Sequence, residues 1–396
     1  MKNIYLDNNA TTKIDDLVVE KMLPFLKENY ANPSSMYDPA RVCAKAIENS
    51  RKQIADFLGV EDEKTILFNS CATEGANTAI KGVVEQYGSK TNNHIITTRV
   101  EHPCVLSVYE YLEKKGYNAT YIGVNENGEL DIDNLLSKIT PETILLSVMH
   151  ANNETGAIYP VYDIAREAKK INKNIKVFVD GVQAAGKIPI ELENKDIDFY
   201  SISGHKFHAP KGVGAFYCKK GTLFQPFMLG GHQENSLRAG TQNTAYIVAI
   251  GEAAKLAKEG LNYELSEVKR LRDKLEQGIL SSLKNAKLNS KSATRVPNTT
   301  NIGFEYIEGE LILLYLNDLG IYASSGSACT SGSLDPSHVL RAQKVPFTSL
   351  HGSIRFSLSR FTTEEEIDYT IKNITEVIKK LAKISPFRDE LSKLDL

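Results

Sequence analysis

The sequence predicts an α/β protein: a mostly parallel central sheet with helices on both faces, followed by a smaller α+β unit. Three observations carry that expectation. Strand-like apolar runs alternate with helical patterns from about residue 65 to residue 218, the mark of a parallel sheet crossed by helices. Those runs repeatedly stop on small or polar turn residues. A long charged helical region from about 246 to 282 then separates the alternation from a second set of strands and helices. A chain of 396 residues is long enough to form two domains.

Composition excludes several function classes. The chain is 42% hydrophobic and 24% charged, with 47 basic against 49 acidic residues and a net charge of -2. Such a balance, with no basic stripe, points away from a nucleic-acid or anionic-membrane partner. The opening Met1-Lys2-Asn3-Ile4-Tyr5-Leu6-Asp7 lacks the apolar stretch of a signal peptide, and no run of about 18 apolar residues occurs; a cytoplasmic protein is expected. The five cysteines, Cys43, Cys71, Cys104, Cys218 and Cys329, are odd in number and never form a C-x-x-C pair, which argues for free thiols. His205/His208 and His102/Cys104 lack a third metal ligand at supporting spacing.

In chain order, a short strand leads to the polar stretch Asp7-Asn8-Asn9-Ala10-Thr11-Thr12, then to helices expected over 15–30 and 39–58, with Gly59 as a C-cap. A strand at 65–69 meets Ser70-Cys71-Ala72-Thr73-Glu74-Gly75 and a helix through Tyr87. Small residues there would let main-chain N–H groups and the Thr73 hydroxyl hold a phosphate; ordinary helix capping explains the same residues. Strand 94–98 reaches Glu101-His102-Pro103, where His102 suits acid–base work, stacking on a ring, or burial as a structural histidine. Strands at 118–124 and 143–149 alternate with helices at 104–115 and 131–138. The second of these strands ends at Ala151-Asn152-Asn153-Glu154-Thr155-Gly156, where Asn153 either makes a turn or donates to a bound ring.

Two strand ends organise the rest. The run 175–179 delivers Asp180, and 198–203 delivers Gly204-His205-Lys206. Open α/β sheets bind ligands beyond the carboxyl ends of their strands. A lysine that can join an aldehyde and an acid that can pair with a pyridine nitrogen are the two groups a pyridoxal phosphate site needs. Taken singly, a lysine after a strand is usually solvated and such an aspartate usually forms a turn. Beyond them lie the Gly-rich turn 210–214 into another strand and the polar loops at 230–234 and 238–243. Cys329 sits in Ser324-Ser325-Gly326-Ser327-Ala328-Cys329-Thr330-Ser331-Gly332, a Gly/Ser setting that leaves a thiol available as a nucleophile; an incidental cysteine in a polar loop is the plainer reading. Arg355, inside the apolar run 352–358, needs an anion, and a substrate carboxylate would satisfy it.

These segments together resemble the cysteine desulfurases of the NifS/IscS type, pyridoxal-phosphate enzymes of the class-V aminotransferase superfamily. The likeness runs nearly the whole length, through Tyr5 to Thr12, Asn32-Pro33-Ser34-Ser35, Ala72-Thr73-Glu74, Glu101-His102, Asn152 to Gly156, Asp180 to Gln183, Ser203 to Lys206, Arg238 to Thr241, Ser324 to Ser331, and Arg355 to Leu358. Gly230 to Glu234, Ser70-Cys71 and the short C-terminal tail look closer to NifS.

The resemblance implies the fold of the type I PLP-dependent transferases, with a large cofactor-binding domain over 15–255 and a small domain of 1–14 and 256–396 carrying the cysteine segment at about 323–335. It implies removal of sulfur from L-cysteine, giving L-alanine and a persulfide on Cys329 for iron–sulfur cluster assembly. Lys206 matches the lysine that binds the cofactor, Asp180 the partner of the pyridine nitrogen, and His102 the residue stacked on the ring. Gln183 and Asn153 match contacts to the phenolic oxygen. Ala72, Thr73, Ser203, Gly204 and His205 match the phosphate cradle, which Thr241 joins from the other subunit of a homodimer. Asn32 and Arg355 match the clamp on the substrate carboxylate. A NifU/IscU-like scaffold protein is the implied sulfur acceptor, with Cys329, through its persulfide, a transient ligand of the shared cluster. Selenocysteine lyase or another class-V enzyme would share Lys206 and Asp180; a non-catalytic scaffold would need neither.

Overall fold

The computed structural model describes residues 3–291, 294–325 and 336–396. Its strands are β1 (Ile4–Tyr5), β2 (Ile66–Asn69), β3 (His94–Thr98), β4 (Asn118–Ile122), β5 (Thr143–Met149), β6 (Lys176–Asp180), β7 (Phe199–Ser203), β8 (Gly214–Cys218), β9 (Ala286–Leu288), β10 (Thr299–Phe304), β11 (Ile321–Tyr322) and β12 (Ser353–Ser357). The main sheet runs β2-β8-β7-β6-β5-β3-β4. Neighbours from β7 through β4 are parallel, whereas β8 is antiparallel to both β7 and β2. Because β8 reverses twice, β2 points the same way as β7. The carboxyl ends of β2, β3, β5, β6 and β7 therefore share one edge.

Strands β5, β7 and β8 are buried along their whole length, as expected where both faces of a sheet are covered. Side chains alternate between two cores. Val177, Val179, Tyr200 and Ile202 face one, with α1 (Asp16–Lys27), α2 (Asp38–Phe57), α6 (Val161–Ile171) and α7 (Thr244–Glu259) packed against them. Phe178, Phe199 and Phe216 face the other, covered by α3 (Ala72–Tyr87) and α4 (Pro103–Glu113); the remaining helix of this layer set, α5 (Ile132–Ser137), contributes Leu135 to the first core. Helix α3 lies so close to β7 that a Cβ at Gly75 would fall 2.2 Å from Ser201 Oγ.

The charged region expected over 246–282 is not one helix. Gly260 closes α7, α8 (Leu261–Tyr263) follows, and one π turn (Glu264–Val268) precedes α9 (Lys269–Ser282). The antiparallel sheet β12-β10-β9 packs with α9, α10 (Gly309–Asp318) and α13 (Glu364–Ile384) around a separate core. Ile4 and Leu6 join that core, and β1 pairs in parallel with β11. Three short helices, α11 (His338–Ala342), α12 (Phe347–Leu350) and α14 (Arg388–Ser392), have no counterpart among the sequence expectations: four or five residues do not establish a helical period.

Candidate active site

At the shared edge the strand ends enclose a cavity of about 340 Å³, within the range of small-molecule sites. Ala72, Thr73, His102, Asn153, Asp180, Gln183, Ser203, His205, Lys206 and Arg355 line it. Gly204 lies beside it, buried in the turn 204–206. Of the three remaining expected members, two stand elsewhere. Asn32 is exposed and caps its own turn by accepting from the Ser34 N–H at 3.0 Å; Thr241 is exposed; Cys329 lies outside the described residues.

Asp180 ends β6 with its side chain buried. Burial pushes its carboxyl up to about 6, against the opposing pull of the Val182 N–H, which donates to Oδ1 at 3.0 Å, and of the Lys206 charge. The chain can turn away there only because residue 181 is glycine: a Cβ would lie 1.9 Å from the Tyr200 ring.

His102 is the N-cap of α4, and its Nδ1 accepts from the Cys104 N–H at 3.1 Å. In the neutral ring the proton therefore sits on Nε2. Neutrality is enforced, since burial, then Lys206 and His338, lower its pKa to about 4. Its neighbour Glu101 is wholly buried: Oε1 accepts from Thr98 Oγ1 at 2.8 Å and from the Met149 N–H at 2.9 Å, and desolvation raises the carboxyl to about 8.

The amine of Lys206 donates to the main-chain carbonyls of Asn9 at 2.6 Å and Ala10 at 2.9 Å. The polar stretch 7–12 thus embraces the lysine. Thr12 N–H reinforces this by donating to the His205 carbonyl at 2.9 Å, and His205 Nδ1 meets Thr11 Oγ1 at 3.2 Å. Sequence reasoning saw that stretch as a turn and did not connect it to Lys206, 197 residues away. It also missed Cys71, Cys104, Met149 and Val182 in the wall; nothing in their spacing marks them.

Two polar atoms in this wall lack protein partners among the described residues: Ser203 Oγ and Arg355 Nε, both buried. No side chain caps the first turn of α3 at Cys71. Glu74, read as a possible capping residue, instead accepts from the Ser70 N–H at 2.8 Å and pairs with Arg238 at 2.8 Å. The Ser203 hydroxyl and the uncapped N–H groups of α3 fit an anionic group such as a phosphate. The anion that Arg355 was expected to need is partly supplied by the protein, through Asp7 Oδ1 at 2.5 Å; its Nη1 donates to the Asn153 carbonyl at 3.0 Å.

A mostly parallel sheet delivering a lysine and an aspartate from adjacent strands to one cavity defines the class of protein. Residues 4–370 match the aminotransferase class-V family model, and the chain belongs to that family. Within it, a cysteine desulfurase from Nostoc sp. is 50% identical over 98% of this chain and 96% of its own length. The cysteine desulfurase NifS of Azotobacter vinelandii is 48% identical over 98% and 95%. A solved structure described as a NifS-like protein superposes with a TM-score of 0.90 at 39% identity, covering 96% of this chain and all of the other.

Proposed function

We propose that this chain is a pyridoxal-phosphate-dependent cysteine desulfurase, converting L-cysteine to L-alanine with transfer of sulfur to Cys329. The observation that carries the reading is the meeting of Lys206 and Asp180, from adjacent parallel strands, in a cavity that Arg355 and Ser203 also line. Full-length similarity to cysteine desulfurases selects the reaction within the family.

In this reading, Ser203, Thr73 and the first turn of α3 hold the cofactor phosphate, with His205, Gly204 and Ala72 shaping the cradle. Asp180 pairs with the ring nitrogen, and its anion is favoured once a cation lies against it. His102 covers the ring and presents Nε2–H, while Gln183 and Asn153 address the phenolic oxygen. Bound there, pyridoxal phosphate supplies an electron sink that acidifies the substrate Cα proton and weakens the Cβ–S bond. Lys206 holds the cofactor and then carries the proton at Cα. Arg355, with Asn32, takes the substrate carboxylate. The Cys329 thiolate attacks the substrate sulfur; an S–S bond forms, the Cβ–S bond breaks with its electron pair leaving on carbon, and protonation there completes alanine.

The exposed position of Thr241 suits a contact made to a second copy, so the working unit in this reading is a homodimer, in the cytoplasm, with an iron–sulfur scaffold as acceptor of the persulfide. Among the described residues no helix is long and apolar enough to cross a membrane. A large domain over 15–255 and a small one of 1–14 with 256–396 accord with the separate apolar cores, although Ala257, Val296 and Val339 join the first core. The test is direct: protein loaded with pyridoxal phosphate and given L-cysteine and a reductant releases equal amounts of alanine and sulfide. Formation of a 2-oxo acid in place of alanine would overturn the reading.

A further inference from the structure

One buried cation near the site has no part in the scheme above. Lys187 is only 5% exposed. It lines, with Lys206, a small pocket of about 20 Å³, room for about one water molecule. Its ammonium donates to Gln183 Oε1 and, at 3.1 Å, to Asn9 Oδ1, which also accepts from Asn298 Nδ2 at 3.1 Å.

A lysine offers donors only, so Gln183 must turn its oxygen toward Lys187. Its nitrogen is then left to donate to the Asn9 carbonyl at 3.0 Å, the same oxygen on which the Lys206 amine rests at 2.6 Å. The reverse orientation of the Gln183 amide would set donor against donor and acceptor against acceptor. Both the side chain and, through Gln183, the main-chain carbonyl of Asn9 are therefore held by one ammonium.

Resting on the reading above, we propose that Lys187 is a positioning residue for Lys206: it fixes the Asn9–Gln183 seat of the Lys206 amine, and its charge disfavours the positively charged form of that nitrogen once it is joined to the cofactor. The charged groups around it are Lys206 and Arg355 of the same sign and Glu264 of the opposite sign, with His205 and His208 within its field and Arg360 across the pocket. Burial pulls Lys187 down to about 7 and pushes Glu264 up to about 7. Glu264 enters through the π turn that breaks the helical region, a local irregularity often found at functional sites.

The test is the Lys187→Met variant loaded with pyridoxal phosphate. The visible absorbance that the cofactor acquires on joining Lys206 changes wavelength when the shared nitrogen loses its proton, so its pH midpoint reports on that nitrogen directly. Removing a like charge is expected to raise the midpoint by about one pH unit. A merely structural lysine would lower the melting temperature and leave the midpoint where it was; that result overturns the proposal. Should the unpaired Glu264 prevent folding, Lys187→Met combined with Glu264→Gln keeps the same readout, with a smaller rise expected and an unchanged midpoint again fatal. If the wild-type protein never develops the visible band, the proposed function fails, and that outcome is distinct from a wild-type band whose midpoint ignores Lys187.

Discussion

Arg355 donates from Nη2 to the carboxylate of Asp7, 348 residues earlier in the chain, and its buried Nε has no partner among the described residues. The pair holds the guanidinium in place, and in the proposed reading the substrate carboxylate is its second anionic partner. Arg355→Ala is expected to raise KM for L-cysteine roughly 10- to 150-fold, the equivalent of about 1.5–3 kcal/mol for a charged hydrogen bond. Steady-state kinetics measure it, and an unchanged KM would place the substrate carboxylate elsewhere.

Lys206→Ala should abolish the visible absorbance of protein mixed with pyridoxal phosphate. Asp180→Asn should keep the absorbance and slow alanine formation by about 100-fold or more, because a neutral amide no longer holds the ring nitrogen protonated. Spectra and single-turnover rates separate the two roles.

Cys329→Ser should bind cofactor with an unaltered spectrum and release no sulfide from cysteine. Intact protein treated with cysteine and no reductant should gain about 32 daltons on the peptide bearing Cys329, read by mass spectrometry. Desulfuration by the serine variant at the wild-type rate would remove Cys329 from the scheme.

Glu101 makes a prediction about stability. Its carboxyl ionises near 4.5 when unfolded and near 8 when folded, so between those values the folded chain keeps a proton that the unfolded chain releases. Stability is accordingly lost as pH rises through that window and is unaffected by this group below it. In cofactor-free protein, Glu101→Gln should keep the Oε1 bonds to Thr98 and Met149, and its melting temperature should fall by at least about 2 °C less than wild type between pH 5.5 and 8. Parallel melting curves would contradict the assignment.

Gly75→Ala should destabilise the fold by about 1–3 kcal/mol, because the added methyl collides with Ser201 at the helix–sheet contact. Denaturant unfolding reads the change, and a neutral result would mean that α3 can lift from β7.

The parallel strands were legible because burial on both faces writes them as unbroken apolar runs, and the polar residue that ends each run marks the edge where ligands bind. Asp180 and Lys206 were found in that way. The reversal of β8 was not legible, since a buried strand reads alike in either direction. Nor was the two-residue pairing of β1 with β11, too short to show a period. Asn9 and Ala10 were missed for a different reason: they act through carbonyl oxygens, which every residue possesses, across a separation that no local pattern encodes. Lys187 was not singled out, because nothing nearby in the sequence announces Asn9 or Asn298.

The cradle of Lys206 is built from peptide oxygens, so side-chain truncation leaves both acceptors in place: Ala10 has nothing to lose, and Asn9→Ala keeps its carbonyl while giving up the Oδ1 contacts to Lys187 and Asn298 that hold it. Changes that displace the turn, such as loss of the Asn9 amide or of the Thr12 hydroxyl that donates to the His205 carbonyl at 3.1 Å, reach it. Tolerance to substitution at position 10 would thus say nothing against its part in the chemistry.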